Sequence, residues 1–185
     1  LRDIVLDLTP GQTLVLTGGE IELQFDEKEA LAATAAVAGP FAATDKSLKE
    51  AVDKASEGLL LLSNDTVWAA GITDPATHVP KTYHVQVAGK PDEATVVAML
   101  GGVLDAGESL RATAVSLLRQ GERNAWLEVS LDEGRNRHIR RLLAALGFDV
   151  LRLVRVAIGD LALGELPKGQ WRHLEASEVA ALRRR

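Results

Sequence analysis

The 185-residue chain contains no cysteine. This absence excludes a disulfide framework, a thiolate metal site and a cysteine nucleophile, and it fits a reducing compartment such as the cytoplasm. The sequence also has no apolar run of about 18 residues, so we expect no membrane-spanning helix and no membrane partner. Acidic residues interrupt the apolar positions of the first twelve residues, a pattern that is not typical of a signal peptide. Together these absences predict a cytoplasmic protein.

Internal repeats and low-complexity linkers are also missing from the sequence. Hydrophobic residues make up 46% of the chain and charged residues 25%, which is enough apolar material for a folded core. The length suits one large domain, or one domain with a small appendage.

Segments with strand and helix patterns alternate along the chain and predict an α+β fold, with a mixed, largely antiparallel sheet and flanking helices. Strand patterns cover 58–65, 81–87, 125–131 and 150–158. Helix patterns cover 27–38, 92–100, 136–146 and 177–185. Alternating apolar residues around Gly18 and Gly19 predict a hairpin over 14–25, and a loop is predicted after residue 65.

Charge is distributed unevenly within a net charge of -5. Residues 1–110 hold 7 basic and 17 acidic side chains, whereas residues 111–185 hold 14 and 9. Four arginines fall within the stretch 131-LDEGRNRHIRR-141, at the start of a predicted helix whose apolar stripe faces the core. Arginines at a helix N-terminus are electrostatically unfavourable, which indicates a compensating anion. The alternative is a solvated charged face that neighbouring acidic residues offset.

Three separate motifs resemble those of the RsuA-like ribosomal RNA pseudouridine synthases. The string EGRNRHIRR, followed by L-x-R, IG-x-L-x-L and W-R-x-L, resembles the end of these enzymes over residues 133–174. Upstream, 53-DKASEGLLLLSND-65 resembles their catalytic segment, and 74–91 resembles their K-T-Y strand. Three motifs in the same order are far more specific than any one of them.

The resemblance implies a pseudouridine synthase catalytic fold in two parts. Residues 50–185 would form the catalytic core. Residues 1–49 would be a divergent N-terminal part of the catalytic domain, with no recognisable S4 RNA-binding domain.

The resemblance also implies an activity and its residues, namely isomerisation of a specific uridine in ribosomal RNA to pseudouridine without a metal or other cofactor. Asp53 falls at the position of the catalytic aspartate, which attacks the uridine at its sugar. Arg140 falls on the arginine that pairs with this carboxylate, and Tyr83 on the tyrosine that packs against the flipped base. The residues expected to contact RNA are Lys81, Arg135, Asn136, Arg137 and Arg141. We expect ribosomal RNA as the partner and a monomer as the assembly.

Each of these roles has a structural alternative. Asp53 would otherwise be a solvent-exposed turn residue, and Tyr83 a core aromatic. His138, where the family usually has glutamine, is interpreted as a partly buried helix histidine. The remaining histidines lack metal-ligand spacing and are interpreted as structural: His78, His84 and His173.

The sequence departs from the family at its catalytic motif, which normally reads G-R-L-D. Here the same positions are Glu50, Ala51, Val52 and Asp53, so the motif arginine is replaced by Ala51. Two further hypotheses therefore remain. One is a catalytically inactive RNA-binding protein of the same fold. The other is a protein-interaction domain in which the arginine-rich helix is merely a solvated face.

Overall fold

The computed structural model describes residues 4–5, 13–18, 23–24, 56–63, 65–135, 137–167 and 171–183. The chain divides into two units, one formed by Leu1–Val79 with Gly159–Arg185 and the other by Pro80–Ile158. The predicted division of the domain at residue 50 stays a prediction.

The strands and helices of the described residues are numbered here in chain order. The strands are β1 Ile4–Val5, β2 Thr13–Gly18, β3 Leu23–Gln24, β4 Ser56–Ser63, β5 Lys81–Ala88, β6 Val103–Asp105, β7 Glu108–Leu110, β8 Ala114–Gln120, β9 Asn124–Leu131, β10 Val150–Ile158, β11 Leu161–Ala162 and β12 Trp171–His173. The helices are α1 Thr66–Thr73, α2 Glu93–Gly101, α3 His138–Ala145 and α4 Ala176–Arg183, and a single 3-10 turn spans Pro75–Thr77. Within this described part, no helix has the length and apolar character to cross a membrane.

Strand β2 occupies the middle of an antiparallel sheet in the first unit, between β12 and β4. Strand β3 pairs instead with β1, in parallel. The predicted hairpin over 14–25 is therefore wrong, because its two strands form but do not pair with each other. The physical reason is that β4 gives β2 a ladder from Thr13↔Ser63 to Gly18↔Gly58, and β12 occupies its other edge.

Helix α1 stands where the sequence pattern predicts a loop. Asp65 caps the helix, since its carboxylate accepts a hydrogen bond from the Trp68 backbone N–H at 2.9 Å. Trp68 and Ile72 are buried, and the Trp68 indole donates to the Val179 carbonyl at 3.0 Å. Aspartate favours both turns and helix N-caps, and burial of the apolar side chains decided between them. The helix predicted over 27–38 lies outside the described residues.

The second unit contains an antiparallel sheet with the strand order β10-β5-β9-β8. Its buried core joins one face of this sheet to side chains from α2 and α3. The predicted alternation of β9 is confirmed, because four alternate side chains are at most 3% exposed: Ala125, Leu127, Val129 and Leu131. The predicted start of α2 is also confirmed, with Asp92 and Thr95 forming a capping box. These elements confirm the predicted α+β fold.

The packing of the core allows one prediction about stability. Leu142 on α3 is fully buried in the core cluster, so replacing it with alanine leaves a cavity. We expect Leu142→Ala to lower the free energy of unfolding by about 2–5 kcal/mol. Urea unfolding followed by tryptophan fluorescence would measure the change. Leu151→Ala is the matched control, because Leu151 is 55% exposed and its loss should cost less than about 1 kcal/mol.

Candidate active site

Tyr83 lies on β5, on the sheet face that carries the core of the second unit. Its ring is half-buried and packs against the cluster that contains Val85 and Val87. On the neighbouring strands, Tyr83 stands opposite Val129 of β9 and Arg155 of β10. The predicted core-side orientation of Tyr83 is therefore confirmed, and its neighbour on one side is a cationic residue.

Lys81 begins β5 two residues before Tyr83 and shares its face. Burial is the main cause that lowers the pKa of the Lys81 ammonium, and the Arg155 guanidinium lowers it further. The Asp132 carboxylate acts in the opposite direction and raises the Lys81 pKa. Arg155 and Asp132 are therefore both near enough to influence Lys81. Lys81, Tyr83 and Arg155 thus share one face of the sheet.

Sequence reasoning assigned no role to Arg155, although it belongs to the L-x-R motif. One signal in the sequence could have indicated a function for Arg155: it is a charged residue in a strand whose other core-facing residues, such as Leu153 and Ile158, are apolar and buried. A shift of register between Arg155 and Ala157 interrupts the alternation of β10. Alternation alone therefore could not tell which face Arg155 occupies.

The turn between β9 and α3 presents Arg135 and Arg137 at the surface. The Arg135 Nε lies 3.1 Å from the Glu133 Oε1. Arg137 adopts φ 51° and ψ 30°, in the left-handed region that is uncommon for a residue other than glycine, and its side chain makes no cap hydrogen bond to the helix. Backbone strain of this kind tends to occur at functional sites. Asn136, also predicted to contact RNA, lies outside the described residues.

Arg140 lies in the first turn of α3 and is half-buried. Its Nη1 donates a hydrogen bond to the carbonyl of Val150 at 3.2 Å, which ties the side chain to the start of β10. The predicted partner, Asp53, lies outside the described residues. The ion pair between Asp53 and Arg140 therefore stays a prediction.

Arg141 is held by two carboxylates of the hairpin formed by β6 and β7. Its Nε lies 2.6 Å from the Asp105 Oδ2, and its Nη1 lies 2.7 Å from the Glu108 Oε2. The hydrogen bonds that Arg141 donates to Asp105, the largest cause, and to Glu108 raise the pKa of Arg141. The side chain thus fastens the tip of this hairpin to α3. The predicted contact of Arg141 with RNA stays a prediction.

His138 is buried on α3, with 3% of its surface exposed. Burial is the main cause that lowers its pKa. Neither ring nitrogen has a hydrogen-bond partner of standard geometry among the described residues, and the backbone of Arg111 only approaches the ring. The expected burial is confirmed, as is the helical position.

On the sheet face opposite Tyr83, the His84 Nε2 lies 3.2 Å from the Glu128 Oε2. Within the described ranges, no group of three or more histidine and acidic side chains could hold a metal ion.

Comparisons with known proteins agree with one another. A family model described as RNA pseudouridylate synthase matches residues 50–145. The chain is 43% identical over 147 residues to the ribosomal large subunit pseudouridine synthase E of Xanthomonas campestris pv. campestris, a match over 71% of this chain and 79% of that protein. It is 40% identical over 138 residues to the protein of the same description from Vibrio parahaemolyticus, over 67% of this chain and 58% of the relative. A crystal structure of a pseudouridylate synthase superposes with a TM-score of 0.69 and 27% identity, over 95% of this chain and 75% of that chain.

Proposed function

The chain belongs to the RNA pseudouridylate synthase family, and on this premise we propose that it converts a specific uridine of ribosomal RNA to pseudouridine with Asp53 as the nucleophile. The observation that carries the proposal is that the family match at 50–145 includes the positions of Asp53, Tyr83 and Arg140 together. The descriptions of the Xanthomonas and Vibrio relatives support ribosomal RNA as the substrate. The matched region spans only 58% of the length of the Vibrio relative. The substrate of this chain is therefore stated as a proposal.

The proposed reaction needs no co-reactant, because its product has the same atoms as its substrate. The Asp53 carboxylate attacks the sugar carbon of the uridine, and the bond to the base breaks with its electron pair going to the base. The base then turns, its carbon 5 bonds to the sugar, and the carboxylate leaves. An ionised carboxylate is already a nucleophile, and a cation such as Arg140 nearby would keep it ionised.

Tyr83 would act on the base after it detaches. Its ring is half-buried on the core face, which suits stacking against a flipped uracil. Carbon 5 must lose its proton after the new bond forms, and N1 of the base, which kept the electron pair of the broken bond, must gain one. We propose that the Tyr83 hydroxyl relays this proton: its oxygen accepts the proton of carbon 5 while its own proton passes to N1.

The RNA backbone would be held at the turn before α3. Arg135 and Arg137 are exposed there and suit phosphate contacts, and Lys81 and Asn136 would add to them. Arg141 would act indirectly: it neutralises Asp105 and Glu108 and so limits their repulsion of the polyanion.

This part of the proposal predicts a salt dependence. Replacing Arg135 with alanine and Arg137 with asparagine, which tolerates the left-handed backbone, should flatten the plot of log affinity against log salt. Each lost phosphate contact should reduce the slope by roughly 0.7–0.9. Fluorescence anisotropy with a ribosomal RNA fragment would measure this. Arg123→Ala, an exposed arginine in the turn before β9, is the control and should leave the slope unchanged. An affinity independent of salt would contradict a phosphate-binding role.

A catalytically inactive RNA-binding protein is the second candidate, and Ala51 at the position of the motif arginine favours it. Release of tritium from carbon-5-labelled uridine in ribosomal RNA distinguishes the two candidates. Release in the presence of a chelator would support the isomerase. Intact RNA binding with no release would support the inactive protein.

A further inference from the structure

We infer that the sheet face of the second unit opposite Tyr83 carries a second binding site, where a single-stranded segment of RNA stacks on Arg119, Trp126 and Arg152. This inference rests on the proposed function only in taking RNA as the partner. It concerns a different surface from the candidate active site, and it does not require the chain to be catalytically active.

One row of side chains crosses the strands β8, β9, β5 and β10. Trp126 of β9 stands opposite Arg119 of β8 on one side and opposite Gln86 of β5 on the other. Gln86 in turn stands opposite Arg152 of β10. Because residues opposite one another in antiparallel strands project from the same face, the register places two arginines and an indole on a single face. Tyr83 projects from the other face, since it lies an odd number of positions from Gln86 in a strand without a bulge.

Both arginines of this row lie against the indole ring. The guanidinium carbon of Arg119 is 5.5 Å from the ring centroid of Trp126, and that of Arg152 is 5.8 Å from it. Both distances are within the range of cation–π contacts, which extends to about 6 Å. Arg119 and Arg152 are exposed, and Trp126 is half-buried. The ring therefore holds two guanidinium groups at a surface that a ligand can reach.

The charge of Arg119 is available to an anionic ligand. Among the described residues, its side chain contacts the Trp126 ring and forms no ion pair. The Glu128 carboxylate projects from the same face, but its Oε2 lies 3.2 Å from the His84 Nε2. Arg119 can therefore form charge-assisted hydrogen bonds with a phosphate group.

The indole N–H of Trp126 is an unpaired donor. Its Nε1 is covered, yet it has no hydrogen-bond partner within the part of the chain that the structure describes. Buried indole N–H groups usually have a partner. A phosphate or base oxygen that displaces one guanidinium from the ring would supply this acceptor.

These features fit single-stranded RNA. Unpaired bases stack on aromatic rings and on guanidinium planes, and arginine binds the phosphates that join them. The Gln86 amide lies between Trp126 and Arg152 in the row and can both donate to and accept from a base edge. An acidic peptide would offer carboxylates to the arginines, but it would bring no flat bases to the stacking surfaces.

Fluorine resonances of the three tryptophans provide a direct test. In protein labelled with 5-fluorotryptophan, the resonance that is missing from Trp126→Phe belongs to Trp126. We expect an unstructured oligocytidylate, which has no uridine for the candidate active site, to shift this resonance. In Arg119→Gln, an exposed substitution, the RNA concentration at half of the full shift should rise roughly tenfold, which corresponds to about one charge-assisted hydrogen bond.

Arg123→Gln is the matched control for Arg119→Gln. Arg123 is an exposed arginine of the same hairpin, and among the described residues it makes no cation–π contact with Trp126. It should keep the wild-type concentration. The variant with both Arg135→Ala and Arg137→Asn should still show the shift, because these residues lie in the turn before α3 and not in the row. Arg152→Gln, which removes the second guanidinium from the ring, replaces Arg119→Gln if the latter fails to fold.

Three results would overturn the second site. They are an unmoved Trp126 resonance in the wild type with RNA, an equal half-shift concentration in folded Arg119→Gln, and loss of the shift in the variant of Arg135 and Arg137. A polyglutamate peptide that shifts the resonance as readily as RNA, at equal ionic strength, would overturn RNA as the occupant. Tritium release by the wild type tests the proposed function separately, since the fluorine measurement does not depend on turnover.

Discussion

Asp53→Asn is expected to abolish pseudouridine formation while RNA binding persists. Asparagine has nearly the same shape as aspartate, so the pocket should be kept, but an amide cannot serve as the anionic nucleophile. Loss of an enzymic nucleophile lowers the rate by roughly 10⁴-fold or more. The substitution also removes a negative charge, which should not weaken affinity for a polyanion. Tritium release and anisotropy on the same ribosomal RNA fragment would measure the two effects.

Asp149→Asn provides the control for Asp53→Asn, because it makes the same change of charge at an exposed position. It should leave the rate of tritium release unchanged. Equal release from wild type and Asp53→Asn would refute Asp53 as the nucleophile. With Ala51 in place of the motif arginine, we expect the wild type itself to turn over slowly.

Tyr83→Phe is expected to lower kcat by about 10²–10⁴-fold, with little change in KM. The substitution keeps the half-buried ring that packs against the core, so the fold and the stacking surface should remain. It removes only the hydroxyl that would accept the proton of carbon 5, and general base catalysis contributes a factor of this size. Single-turnover tritium release would separate this step from binding.

Thr82→Val is the control for Tyr83→Phe. It removes a hydroxyl from the residue next to Tyr83 in the chain. The Thr82 side chain faces the other side of the sheet, and its hydroxyl is hydrogen-bonded to the Ser130 hydroxyl at 2.9 Å. Its kcat should stay near that of the wild type. If Tyr83→Phe also keeps kcat within about threefold, Tyr83 has a packing role alone.

In the second unit, β5, β9, β10, α2 and α3 were predicted because their signals are local, whereas β6, β7 and β8 were not predicted. The alternation of β9 and the Asp92 cap of α2 each depend on residues only a few positions apart. The same local signals failed for the hairpin over 14–25. There the turn residues were compatible with pairing, but β4, from much later in the chain, offered β2 a longer ladder.

In the candidate site too, some features were predicted from local motifs and others depend on contacts between distant segments. The motifs identified Tyr83 and Arg140 by position in the chain, and the structure confirmed that Tyr83 lies on the core side of its strand. The motifs implied a catalytic role for Arg140 and an RNA contact for Arg141, but they did not indicate that Arg140 reaches a backbone carbonyl of β10 or that Arg141 pairs with two carboxylates. A run of arginines does not reveal its partners, because those partners come from other strands and turns.

The sequence by itself determined the family, the α+β class and, within Pro80–Ile158, both helices and the strands β5, β9 and β10, because motifs and side-chain periodicity are properties of contiguous residues. Only the tertiary structure decided that Arg155 stands opposite Tyr83 and that Arg141 holds the β6–β7 hairpin. Strand register and ion pairing depend on which distant segments pack together and on where a bulge shifts the ladder. Long-range contacts compete to set the strand register and the ion pairs, and a short stretch of sequence does not encode the result of that competition.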